Sequence, residues 1–277
     1  MKAKRFCKNT LLWAIEKSGL ESVRDQIWTW AGSLPAAVLV FHRVTDVIPE
    51  DGITISTARF RTIVKTLKDH YRPVPLTDLI GNLLQKKPWQ ERTVAITFDD
   101  GYDDNLNHAA PILREYGVPA TFFVTVDLIG TQRVLPWEEH LAGRIRWMDW
   151  NQVRRLHSLG FAIGSHTLTH CDLGKVSGPT AKHEICESKH KLQDTLGTEI
   201  PLFAYPFGRA DNLTSENRDL VRQAGYKCCC SAFGGFVRGD SDPFALCRIG
   251  IDNWYATMED LHFELRRIPP WRWFDRD

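Results

Sequence analysis

The sequence predicts a single α/β domain built as a barrel of parallel strands. Three observations carry this reading. Seven short apolar runs, rich in β-branched and aromatic residues, recur along the chain. Helix-like stretches separate them, several ending at a glycine. Polar residues suited to catalysis cluster where the runs end, which in barrels of this kind is the catalytic face.

The runs are AAVLVF at 36–41, TVAITF at 93–98, ATFFVTV at 120–126, FAIG at 161–164, PLFAY at 201–205, YKCCCS at 226–231 and LCRIGI at 246–251. Most are continuously apolar, as expected of strands covered on both faces. Between them, TARFRTIVKTLKDH starts after Ser56 and TDLIGNLLQKK follows Pro75. LNHAAPILREYG stops at Gly117, NQVRRLHSLG at Gly160, GPTAKHEICESKHKLQDTLG at Gly197 and SENRDLVRQAG at Gly225. Glycine is a natural helix stop because it adopts the left-handed conformation at no steric cost. The stretch 127–150, rich in Trp and charge, reads as a loop inserted over one mouth of the barrel.

The 277 residues are 43% hydrophobic and 25% charged, which suits a globular chain with a substantial core. The net charge of +1 gives no reason to expect a nucleic-acid partner. Ten tryptophans are many for this length; they serve as core packing or as flat faces in a sugar-binding groove. Of seven cysteines, Cys228, Cys229 and Cys230 are consecutive. Neighbours on a strand point to opposite faces, so the triplet cannot form an ordinary set of mutual disulfides, and a reducing compartment is expected.

At the N-terminus Leu12, Ile15, Gly19, Val23, Ile27 and Trp30 fall roughly on one helix face. The apolar part is too short for a signal-peptide core, and no run has the length of a membrane span. The expected organisation is a helical extension over 1–35, a catalytic domain over 36–265 and a tail over 266–277. The extension is expected to dock on the protein's own core, with peripheral membrane contact as the alternative, because six basic against three acidic residues in 1–30 would favour an anionic surface.

TVAITFDDGYDDN, residues 93–105, places Asp99, Asp100, Asp103 and Asp104 directly behind an apolar run. Adjacent carboxylates repel each other and resist leaving water, so burying them requires positive charge between or beside them. A solvated acidic turn is the alternative. GSHTLTH adds His166 and His170 at i and i+4, a spacing that on a helical turn points two imidazoles the same way. One carboxylate and two imidazoles with positions left for water form a ligand set for a catalytic divalent metal.

With TFDDGY, SHTLTH and FAYPFG in this order, the chain resembles the metal-dependent polysaccharide deacetylases, carbohydrate esterases with a NodB-like homology domain, over roughly residues 36–255. The resemblance implies a distorted seven-stranded (β/α) barrel. It makes Asp99 the general base and Asp100, His166 and His170 the ligands of a divalent metal, Zn2+ before Co2+ or Ni2+. It places the oxyanion on the metal and on the backbone N–H of Phe207, with Pro206 and Gly208 fixing that loop, and Tyr205, Pro206 and Phe207 facing the substrate.

Two departures from the family pattern stand out. Ala204 occupies the place where the third motif often has an Arg that orients the base, and Phe207 replaces a Tyr. Arg248, on the seventh run, is the candidate substitute; the alternative is an ordinary surface or salt-bridged arginine. The family's C-terminal Leu-x-His is offered only by His262, inside a probable helix. VLVFHRV at 38–44 instead resembles the exopolysaccharide deacetylase branch, in which a strand-end His near the N-terminus is the general acid, here His42. In a closed barrel the first and last strands are neighbours, so His42 can reach the same spot. The aspartate–tryptophan motif is blurred, leaving Trp254 as a wall of the sugar site.

The function expected is metal-dependent removal of N-acetyl groups from N-acetylhexosamine units of a polysaccharide or lipid-linked glycan. O-deacetylation or deformylation of a glycan or glycolipid, and a glycan-binding pseudoenzyme, are the alternatives. The expected location is cytoplasmic, at the inner membrane surface in one version, acting on a precursor before export.

Overall fold

The computed structural model describes residues 34–251 and 258–266. The expected helical extension over 1–35, Trp254 and the tail beyond 266 fall wholly or almost wholly outside the described residues. Each of the seven expected runs forms a strand. In chain order the elements are β1 (Ala37–Phe41), β2 (Arg43–Val44), β3 (Thr54–Ile55), α1 (Thr57–His70), β4 (Arg72–Pro73), α2 (Leu76–Leu84) and β5 (Thr93–Phe98). A π-turn (Asn105–Ala109) then leads into α3 (Ala110–Tyr116), β6 (Ala120–Val124), α4 (Trp150–Ser158), β7 (Ala162–Ser165) and α5 (Gly178–Leu196). The last are β8 (Leu202–Ala204), α6 (Ser215–Gln223), β9 (Cys228–Cys230), β10 (Ile249–Gly250) and α7 (Met258–Arg266).

The principal sheet runs β10-β1-β5-β6-β7-β8-β9, with β4 pairing beside β5, and every pairing in it is parallel. It curls until its ends meet. Leu246, just ahead of β10, bridges to Cys230 of β9, and the Ser231 N–H donates to the Leu246 carbonyl at 2.8 Å. The result is the distorted seven-stranded barrel, with its loosest seam between β9 and β10.

Strand alternation sorts the core into two clusters. Leu39, Phe41, Ile96, Phe98 and Phe122 pack outward with Phe60, Ile63 and Leu67 of α1. Ala36, Val38, Ala95, Phe123, Ala204 and Leu246 form a second cluster with Leu76, Leu79, Ile80 and Leu83 of α2. The cysteine triplet obeys the same alternation: Cys229 joins the first cluster, Cys228 and Cys230 the second. Helices α3 and α5 end at Gly117 and Gly197, both with φ of 64°. No helix among the described residues is long and apolar enough to cross a membrane.

Gly164 of β7 is tightly enclosed by the barrel interior. A Cβ there would lie 2.4 Å from the Phe123 ring and 3.1 Å from the Leu202 carbonyl oxygen. Gly164→Ala is therefore expected to cost about 1–3 kcal/mol of stability, read by urea unfolding; an unchanged midpoint would show that the ring moves freely aside.

Candidate active site

The catalytic face is assembled from the C-terminal ends of β1, β5, β7 and β8 together with the run into β10. Asp99 and Asp100 leave β5 through a sharp turn in which the Gly101 N–H returns to the Asp99 carbonyl at 2.9 Å. Asp100 adopts φ of 73° and Gly101 φ of 93°. Left-handed backbone is unusual for a non-glycine residue and is retained where the surroundings enforce it. Here it gives the two neighbouring carboxylates different partners.

Asp99 faces Arg248. The guanidinium donates Nη1 to Oδ1 at 2.7 Å and Nη2 to Oδ2 at 2.6 Å, a two-pronged pair with both residues buried. Arg248 also donates Nη1 to Thr97 Oγ1 at 3.1 Å and Nε to the Ser231 carbonyl, so it spans from β5 to the end of β9. Burial alone would raise the Asp99 carboxyl, but Arg248, followed by His166, outweighs it and holds the group below its ordinary value. Asp99 is thus a buried, ionised carboxylate, and Arg248 is its orienting partner.

Asp100 faces the imidazoles. Its Oδ1 lies 3.3 Å from His166 Nε2 and 3.1 Å from His170 Nε2, and the three ligand atoms sit within 4.8 Å of one another. Ligands about 2.0–2.1 Å from a tetrahedral ion stand roughly 3.3 Å apart, so the cluster already has the spacing of a metal's coordination edge. Asp100 Oδ1 is buried and makes no hydrogen bond, which is the state of an atom reserved for a cation. His166 donates through Nδ1 to the Ala204 carbonyl at 2.8 Å, which turns Nε2 toward Asp100, where it would ligate a cation once that nitrogen has given up its proton. The residues present therefore fit a divalent cation. Burial would raise the Asp100 carboxyl; His166, His170 and His42 together hold it well below the usual range.

The two histidines do not converge through a helix. Residues 166–170 form an irregular turn in which Thr167 and His170 have φ of 65° and 63°. Glu184, reaching over from α5, holds the turn from below. Its Oε2 accepts the N–H groups of Leu168 and Thr169 at 2.9 and 3.0 Å, and its Oε1 accepts the Thr169 hydroxyl at 2.8 Å. The helical spacing of the two histidines suggested convergence, but the device behind it is a carboxylate clamping a left-handed turn.

His42 ends β1 and lies within the field of both aspartates. Burial lowers its pKa, Asp100 and Asp99 oppose the shift, and Arg248 and His166 add to it. Phe207 adopts φ of 61° and is 39% exposed, and its N–H donates to no protein acceptor among the described residues. Gly208, with φ of 55°, is irreplaceable there, since a Cβ would fall 2.2 Å from the Ala232 nitrogen. Pro206 is buried beneath this loop. Tyr205 does not face the cleft: it is fully buried, its ring packs 5.1 Å from Phe203, and its hydroxyl meets the Cys229 thiol at 3.6 Å. It ends a strand whose alternation turns it into the core. His262 sits on α7, 3.0 Å from the Tyr71 hydroxyl, apart from the site.

Trp137 and Glu138 were not singled out in the sequence. They belong to the 127–150 loop, which covers the cleft as its composition suggested. Trp137, 46% exposed, packs against His170 and Phe207 at centroid distances of 5.3 and 5.4 Å. Glu138 is buried and anchors the loop by accepting hydrogen bonds from Arg43 and the Tyr102 hydroxyl.

Two outcomes are expected. Arg248→Met leaves Asp99 charged and unpaired in the interior, and should cost about 3–5 kcal/mol at neutral pH. Adding Asp99→Asn should recover part of that loss in urea unfolding; no recovery would show that packing, not charge, is at stake. The second concerns Asp104, whose burial raises its carboxyl to about 7 against stabilising bonds from Val44 and Asn105. The unfolded carboxyl ionises near 4, so the fold holds a proton in between, and stability falls as pH rises through that window. Asp104→Asn removes the window, so its melting temperature relative to the parent should rise from about pH 5 to about pH 8. A constant difference would contradict the buried carboxyl's raised value.

Comparison with known proteins agrees with the geometry. Residues 86–229, just over half the chain, match the family model for polysaccharide deacetylase. A poly-beta-1,6-N-acetyl-D-glucosamine N-deacetylase of Staphylococcus aureus (strain MSSA476) is 23% identical over 206 residues, covering 72% of this chain and 68% of that protein. YxkH of Bacillus subtilis (strain 168), itself only provisionally named a polysaccharide deacetylase, is 26% identical over 215 residues, 77% of this chain and 70% of its own. Among solved structures, the Streptococcus pyogenes deacetylase PplD in complex with acetate superposes with a TM-score of 0.70 at 21% identity, covering 84% of this chain and 98% of that one. IcaB from Ammonifex degensii gives the same TM-score and identity, covering 84% and 97%. At that identity the two structures bear on the fold, whereas the match to the family model identifies the chain itself: it belongs to the polysaccharide deacetylases.

Proposed function

We propose that the chain is an N-deacetylase acting on N-acetylhexosamine units of a polysaccharide or lipid-linked glycan, with Asp99 as base, His42 as acid and Asp100, His166 and His170 as ligands of a divalent metal, Zn2+ before Co2+ or Ni2+. The observation that carries this reading is the divergence of two adjacent buried carboxylates, one paired with Arg248 and the other with two imidazoles. A binding module has no use for an ionised, oriented base beside a cation site.

The cation, when bound, supplies the Lewis acidity that lets water attack an amide carbonyl near neutral pH. Asp99, kept ionised by Arg248, takes the proton released as that water adds to the carbonyl carbon. The Phe207 N–H, free and held rigid by the Gly208 turn, donates to the oxygen on which negative charge develops. His42, in its protonated form, delivers a proton to the nitrogen as the carbon–nitrogen bond breaks, so that an amine leaves rather than an amide anion, and it regains a proton from solvent before the next turnover. Acetate and the free amino sugar are the products. Trp137 and Phe207 offer two exposed aromatic faces at the rim, suited to the apolar side of a sugar ring.

Acetate release from N-acetylglucosamine oligomers by the purified protein tests this. Release should require added zinc or cobalt, stop with chelator, and fall on the order of 10²–10⁴-fold in Asp99→Asn. Release that survives both chelation and Asp99→Asn would overturn the mechanism. Binding of the oligomer without turnover by the metal-loaded protein would favour the pseudoenzyme.

A further inference from the structure

The His42 ring makes no hydrogen bond to the protein among the described residues. A proton donor must nevertheless be held within hydrogen-bond reach of its target. What holds it is its backbone. The Asp99 N–H donates to the Phe41 carbonyl at 2.9 Å, on the β5 side. Asn105 Nδ2 donates to the His42 carbonyl at 2.7 Å. Asp104 Oδ1 accepts the Val44 N–H at 3.0 Å, and His108 Nδ1 meets the Val44 carbonyl at 2.8 Å. The last three side chains come from one short segment, and two of them from the π-turn Asn105–Ala109. Asn105 is fully buried and braces Asp104 as well, its Nδ2 reaching Asp104 Oδ1 at 2.9 Å.

A π-turn inserts one extra residue into a helix, is rare, and is found frequently at functional sites. Here it brings Asn105 and His108 onto the same strand end, so that the chain behind the base also fixes the segment behind the acid. We propose that Asp104, Asn105 and His108 are positioning residues that fix His42 for proton delivery to the leaving amine. This rests on His42 being the general acid, as argued above, and adds what gives that side chain its place.

The test compares two substrates. An N-acetylglucosamine oligomer needs its leaving nitrogen protonated; p-nitrophenyl acetate does not, because a phenolate departs unaided. Asn105→Leu keeps volume and removes the donor; His108→Gln, at a half-buried site, is a milder second variant. Circular dichroism and melting confirm that each is folded. With the zinc-loaded enzyme, misplacing the acid should lower the amide kcat about 10- to 100-fold while the ester kcat falls much less. His42→Gln should shift the amide-to-ester ratio in the same direction.

A selective loss in either folded clamp variant, matched by His42→Gln, supports the proposal. Equal losses on both substrates, or none on either, with His42→Gln still selective, overturn the positioning role alone. A His42→Gln variant that loses both activities equally overturns the acid assignment, and the proposal with it.

Discussion

The pair between Arg248 and Asp99 is the interaction on which the rest of the site depends. Two unit charges about 4 Å apart repel by about 4 kcal/mol at an effective dielectric of 20, so adjacent buried carboxylates need separate counter-charges. Arg248 serves one and the imidazoles serve the other. The left-handed backbone at Asp100 keeps both carboxylates on the cleft, since an extended continuation of β5 would turn Asp99 and Asp100 to opposite faces of the sheet. The same arginine bonds to Thr97 on β5 and to the Ser231 carbonyl after β9, and lies 5.7 Å from the Phe123 ring centroid of β6. It therefore ties the β9–β10 seam, which has few bridges of its own, to the strand that carries both aspartates. Closing the barrel and orienting Asp99 are one structural event.

The barrel supplies a common face, but the site is fixed by contacts made beneath it. Glu184 holds the turn that carries both histidines, and the Ala204 carbonyl sets the tautomer of one of them. Arg43 and Tyr102 hold Glu138 and with it the loop that brings Trp137 to the cleft. Each of these partners is buried or half-buried, so each bond is made in a medium where leaving it unmade is expensive. The groups that face the cleft are in this way immobilised by groups beneath it.

Much of this was legible in the sequence, and the exceptions have physical causes. The strands were visible because a strand covered on both faces is apolar throughout. The pairing of Arg248 with Asp99 could be inferred because a buried carboxylate needs an opposite charge and the motif's own arginine is absent. Glu184 was invisible: a glutamate in a charged amphipathic helix looks like a solvated one, and only the packing of α5 on the turn shows otherwise. Trp137 was hidden among ten tryptophans, since composition does not say which ring faces water. Tyr205 was misjudged because motif position tracks the backbone, whereas strand alternation decides where the side chain goes. The helical reasoning about His166 and His170 reached the right neighbourhood by the wrong geometry, because i and i+4 also converge across two left-handed residues.

The departures from the family motif follow a rule that the geometry makes explicit. Where a main-chain atom does the work, the side chain is free to change. The Ala204 carbonyl accepts from His166 whatever residue stands there, and the Phe207 N–H is the same donor in phenylalanine as in tyrosine. Where a charge does the work, the charge must persist but its origin in the chain need not. Ala204 ends β8 without a charge, and the guanidinium that pairs with Asp99 comes from Arg248, just ahead of β10. A barrel permits this exchange more readily than an open sheet does, since every strand end is then within a side chain's reach of the centre.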